Sequence, residues 1–143
     1  MPLDSPIWNQ SEVEQIVSNG LTRLAKRFKQ KTVDNMIMST PSGVLYAPGF
    51  SGQGAGFRRY HQASARGERP APDTMNLVLS VSDEKVSSFE HDVFVDDNRA
   101  PYGRWLQNPA GLNRPIATLV DAEMFMSTEG MEEVEKTKAE LIR

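Results

Sequence analysis

Two histidines, His61 and His91, and nineteen Asp and Glu residues are the groups of this chain able to move a proton in acid–base chemistry. Catalysis would need some of them gathered beside a substrate. The histidines stand thirty residues apart, one in an Arg-rich polar stretch and one in an alternating apolar run, and neither lies in a spacing that fixes two metal ligands on one face. The chain has no Cys, which removes a thiolate nucleophile, a thiolate metal site and a disulfide framework. No Gly-x-Ser-x-Gly elbow occurs. Asp96-Asp97 offers oxygen donors for a hard cation but lacks the alternating acidic loop that would complete a cage, so a strand-end turn is the better reading. Glycines at 49, 52, 54 and 56 superficially match a phosphate loop, yet no Gly-Lys-Ser/Thr follows and no helix opens there, so they read as backbone freedom. The sequence therefore reads as a non-enzyme, with catalytic residues, cofactors and metal ligands expected to be none. A small hydrolase using an untemplated carboxylate pair is the third-ranked reading.

The elements that would position functional groups centre on His61–Val81. Pro70 and Pro72 keep the approach extended, and Met75, Leu77, Leu79 and Val81 then recur every second residue, which predicts a strand with one buried face. A long loop over about 47–73, poor in apolar residues and rooted on a strand, is expected to protrude and carry function. An ordinary surface loop is the plainer alternative.

Before it, residues 1–10 read as an arm docking Ile7 and Trp8 on a neighbour. Ser11-Glu12-Val13-Glu14 has capping-box spacing, and Val13, Ile16, Val17, Leu21, Leu24, Ala25 and Phe28, continued by Val33, Met36 and Ile37, form one helical stripe. This predicts a helix of roughly 25–30 residues ended by Thr40-Pro41-Ser42-Gly43. Gly20 inside it costs about 1 kcal/mol relative to Ala and suits close packing. Val44-Leu45-Tyr46 predicts a short strand, Ser82–Lys85 a turn, and Val86–Val95 a second strand with Phe89, Val93 and Val95 on one parity. Tyr102 to Leu106 suits one helical turn on the core, Ile116–Met126 a strand and bend, and Ser127 the cap of a last helix through Met131, Val134 and Leu141. The fold class is α+β: a long N-terminal helix packed on a small antiparallel sheet, with a C-terminal helix, in one domain over 1–143.

Net charge is −3, but residues 1–73 carry nine Lys/Arg against six Asp/Glu, and residues 74–143 carry seven against thirteen. Such polarity suits a head-to-tail contact between identical subunits. Arg23, Lys26, Arg27, Lys29 and Lys31 share the helix's polar side; DNA contact and a solvated face are the two readings, and the absence of aromatic interleaving favours the second. Within 47–73, Arg58, Arg59, Arg66 and Arg69 outnumber Glu68 and Asp73. The seven Met residues read as adaptable packing. No run of about 18 apolar residues occurs and MPLDSPIW lacks a charged, apolar leader, so a soluble chain made in a cytoplasm is expected.

The order of these parts resembles a known family. After the long helix come Ser42-Gly43 and a Tyr. Then follow His61-Gln62-Ala63-Ser64-Ala65-x-Gly67-Glu68-x-Pro70-Ala71-x-Asp73-Thr74, Tyr102 with Trp105-Leu106, and Arg114-Pro115-Ile116. This is similar to the tailed-bacteriophage minor tail-component family typified by gene product 10 of lambdoid siphophages, over roughly residues 42–116, about half the chain. The chain departs from the pattern at Met75, where Gly is usual, at Arg66, where Pro is common, and at Ile116, in place of Phe. The acidic C-terminal helix has no counterpart in it. The resemblance implies a virion structural protein of the neck: a ring of six or twelve copies in head–tail joining or tail completion. Its neighbours would be head-closure or connector proteins on one side and tail-terminator or tail-tube proteins on the other. Assembly would take place in the host cytoplasm, without a membrane and with non-specific DNA contact in the channel. Trp8, Phe57, Arg58, Arg59, Tyr60, Arg66 and Arg69 are the expected partner contacts, with guanidinium groups clamping a neighbour's carboxylates. A DNA-contacting accessory protein using Arg23, Lys26, Arg27 and Lys29 is the second-ranked reading.

Overall fold

The apolar stripe that begins at Val13 folds as one long helix, α1 (Gln10–Ile37), about 42 Å from end to end. It is seen in a computed structural model that describes residues 9–39, 41–43, 45–46, 61–70, 76–101, 103–108 and 112–142. Asn9, not Ser11, is the N-cap: its side-chain oxygen accepts from the Glu12 amide at 3.3 Å, so the helix starts just before the expected box. Pro41-Ser42-Gly43 follows the helix end as expected.

Beyond α1, strand β1 (Leu45–Tyr46) pairs antiparallel with β2 (His61–Gln62), so the root of the 47–73 connection is a closed ladder. The strand expected at 75–81 is instead a short helix, α2 (Asn76–Ser80), followed by β3 (Val81–Ser87). Leu77, Val78, Ser80 and Val81 are buried while Leu79 faces out, a helical rather than alternating pattern. The run Leu77-Val78-Leu79 is continuously apolar, so period alone does not separate the two states. Residues 82–85, expected as a turn, lie inside β3; their polarity reflects a strand that leaves one face in solvent. Strand β4 (Glu90–Val95) pairs with β3 around a turn at Ser88-Phe89, with a register shift between Lys85 and Ser87. Asp96 does close the strand, its carboxylate accepting from the Asn98 amide at 3.0 Å.

Helix α3 (Gly103–Gln107) is the expected single turn, and Leu106 packs on the core. The 116–126 segment is not a strand: α4 (Leu119–Ser127) is opened by a reciprocal capping box of Thr118 and Asp121. Ser127 ends α4 instead of capping its successor, α5 (Glu129–Ile142), which follows Thr128. The architecture is α+β, with α1 lying against the β3–β4 hairpin and α5. Met36, Leu77, Val78, Val81, Ala100 and Ile116 form the buried cluster at the C-terminal half of α1. Further up, Phe28 and Phe125 meet edge to face at 5.1 Å, pinning α4 to the helix. Gly20 does serve close packing: a Cβ there would lie 2.2 Å from the Thr137 hydroxyl oxygen. Among the described residues no helix is long and apolar enough to cross a membrane.

Candidate functional site

Residues far apart in sequence, Ser42-Gly43, Gln62 to Glu68 and Asn113-Arg114, meet in one hydrogen-bonded junction. Gly43 donates its amide to the Ala63 carbonyl at 2.7 Å, and the Gln62 side chain donates back to the Gly43 carbonyl. Arg114 reaches across with Nε to the carbonyl and hydroxyl of Ser64, at 3.1 and 3.0 Å. The Gly67 amide donates to the Asn113 carbonyl at 2.7 Å, with Gly67 at φ +87°, a conformation other side chains rarely adopt. Glu68 closes the set, accepting from the Ser42 amide and hydroxyl and from the Ala65 amide. These bonds, the Ser42 hydroxyl first, hold its carboxyl below the usual range. These bonds tie the segments 42–43, 62–68 and 113–114 together.

The expected partner contacts fall differently around this junction. Arg69 is half-buried and ion-paired to Asp121 of the α4 capping box, so its charge is used within the chain. Ser64 and Pro70 are buried, so residues 61–70 belong to the folded body and not to a free arm. Removing 50–70 would take away the buried Ser64 and Pro70 and the bonds of Glu68, whereas a freely protruding loop would leave the body intact. Arg66 is exposed. Trp8, Phe57, Arg58, Arg59, Tyr60 and Tyr102 lie outside the described residues, as does the glycine-bearing stretch 49–56.

The basic face of α1 is not a bare surface. Arg23 and Arg27 both donate to Glu133 of α5, at 3.0 and 3.1 Å, and reach Glu140 and Glu132 as well. Glu133 is buried, and the Arg23 hydrogen bond, outweighing desolvation, holds its carboxyl below the usual range. Lys26 and Lys29 each reach Asp83 of β3 at 3.3 Å. Four cations thus meet four carboxylates of the same chain, so Arg23, Lys26, Arg27 and Lys29 form a solvent-touching face whose charge is matched by Glu132, Glu133, Glu140 and Asp83. Part of the charge asymmetry between the halves of the sequence is spent inside one chain.

Asp83 also ties the hairpin to the helix through the buried His91, whose Nε2 lies 2.8 Å from its carboxylate. An ionised carboxylate only accepts, so Nε2 carries the proton and Nδ1 faces the Thr22 hydroxyl at 3.5 Å. The His91 bond, outweighing desolvation and helped by the two lysines, brings the Asp83 pKa down to about 2. Thr, His and Asp in this order have the composition of a nucleophile relay. Here, however, Thr22 sits mid-helix, where backbone amides are already bonded, so no oxyanion donor is offered. The trio acts as a polar tie beneath an apolar groove of about 320 Å³ between α1, β4 and α4, walled by Leu21, Leu24, Phe28, Val93, Phe125 and Met126. Sequence reading missed this tie because Asp83 fell in a supposed turn; the register Lys85↔His91 would have placed His91 and Asp83 on one face.

Outward, α4 presents Leu119, Val120 and Met124, which are 75%, 61% and 65% exposed, while Phe125 on the opposite side is buried. Among the described residues no cluster of His, Asp and Glu has the makings of a metal site. No family model, curated protein or solved structure matches the chain.

Proposed function

We propose that this chain is a structural subunit of a tailed-phage neck, assembling into a closed ring that joins head and tail through protein–protein contacts. The observation that carries the reading is the outward face of α4. Three large side chains stand in water there, each worth about 1.5–3 kcal/mol on burial. Three exposed large apolar side chains on a nine-residue helix are costly for a lone subunit and useful in an interface. Two further features support it. Ser42, Gly43, Gln62, Ser64, Gly67, Glu68 and Arg114, which belong to the minor tail-component pattern, bond to one another or to neighbouring backbone at the loop root. Among the described residues the β3–β4 hairpin is a two-stranded sheet, with no further strand paired on either edge, a geometry that suits addition of a neighbouring strand.

Sedimentation velocity tests the reading. The wild-type chain should sediment as a discrete higher oligomer, and Val120→Asp/Met124→Asp should sediment as a monomer with an unchanged far-ultraviolet circular dichroism spectrum. A wild-type chain that remains monomeric across the accessible concentration range, or a double variant that assembles as well as wild type, overturns it.

A further inference from the structure

Among the described residues nothing packs on the solvent face of the β3–β4 hairpin, which is chemically mixed. Glu84 and Asp92 stand directly opposite each other in register, both exposed. Like charges in that relation repel. Glu84, Glu90 and Asp92 make no side-chain hydrogen bond or ion pair among the described residues. By contrast Asp83, Glu133 and Asp121 are each matched by a cation of this chain. Beside the opposed carboxylates, Phe94 is 39% exposed, and at the hairpin's far end Val86 and Phe89 are 52% and 62% exposed. The face therefore offers negative charge set among apolar side chains, a surface for a partner carrying guanidinium groups between aromatic rings.

The chain contains such a segment: Phe57-Arg58-Arg59-Tyr60, in the connection whose root is the β1–β2 ladder. Arg23, Lys26, Arg27 and Lys29 of α1 are already paired with carboxylates of the same subunit, and Arg58-Arg59 is the adjacent cationic pair flanked by aromatic residues. We propose that the outer face of the β3–β4 hairpin receives the Phe57–Tyr60 segment of a second copy of this chain, with Arg58 and Arg59 meeting Glu84 and Asp92. The contact uses two different patches, one per subunit, so it propagates head to tail, the geometry from which a ring is built when the rotation between neighbours closes. It rests on the ring reading above and adds a second pair of surfaces, beside the outward face of α4, through which neighbouring subunits meet.

A charge-swap experiment on the full chain tests it, read by sedimentation velocity at low and moderate salt with circular dichroism as the folding control. Glu84→Lys/Asp92→Lys and Arg58→Glu/Arg59→Glu should each associate roughly tenfold or more weakly than wild type. An equimolar mixture of the two should reassemble, as should one chain carrying all four substitutions. Wild-type association should also weaken as salt rises. If both reversed variants assemble like wild type, the hairpin contact is wrong while the ring reading stands. If the hairpin variant alone loses assembly and the mixture fails to restore it, the face binds some other cationic group and the pairing is overturned. A monomeric wild type overturns the pairing and the ring reading together.

Discussion

Arg114 donates from one nitrogen to both the carbonyl and the hydroxyl oxygen of Ser64, joining positions fifty residues apart in the chain. That bond fixes the loop root to the segment leading into α4, and Arg69–Asp121 repeats the connection one turn further on. The 61–70 stretch is thus part of the body that any assembly would present. Excising 50–70 should lower the melting temperature or unfold the chain, since it removes Ser64, Glu68 and Arg69 together. Arg114→Lys keeps the charge but loses the fork, and should cost about 1–2 kcal/mol in denaturant unfolding. An unchanged unfolding midpoint in both variants would mean the junction contributes nothing.

Close approach of α1 and α5 gives a second test. Gly20→Ala improves helix propensity by about 1 kcal/mol, but its new methyl meets Thr137, and overpacking of this kind costs about 1–3 kcal/mol. The single variant should therefore be destabilised. Adding Thr137→Ala, or better Thr137→Gly, should relieve it, giving a coupling that a double-mutant cycle reads directly. Additive effects would show that the helices do not touch there.

Glu133 bridges two arginines from a buried position, so Glu133→Gln should destabilise by about 2–3 kcal/mol, leaving Arg23 and Arg27 only their outer partners. Chemical denaturation measures it. A variant as stable as wild type would mean that Glu140 and Glu132 take over the load.

Acid stability should report on Asp83. Its folded-state pKa of about 2 lies below the ordinary aspartate value near 4. The stabilisation is accordingly complete above about pH 4 and is lost as pH falls through about 2, when the carboxylate must be protonated in both states. Asp83→Asn should be less stable than wild type at neutral pH, and the gap should narrow across that window. A gap that is constant between pH 5 and 2 would assign the loss to packing alone.

The long helix, the tight position of Gly20, the β1 strand, the turn at Asp96 and the α+β class were legible in the sequence because each rests on local pattern or on one residue's special geometry. What escaped has physical causes too. Leu77-Val78-Leu79 is apolar at every step, so helix and strand share the same letters, and burial of Ser80 decided the matter. The Thr118–Asp121 capping box was present in the sequence but lay inside an apolar run that drew a strand reading. The ion pairs of the basic face of α1 were not legible because its carboxylate partners sit about 54 to 117 residues away, on β3 and α5. Pairing at that distance is a property of the fold, not of helical spacing.

Electron microscopy of the purified chain in negative stain tests the central claim most directly. Closed rings of uniform copy number in the wild type, absent from Val120→Asp/Met124→Asp, are the expected images. Dispersed single subunits in both preparations would contradict the account.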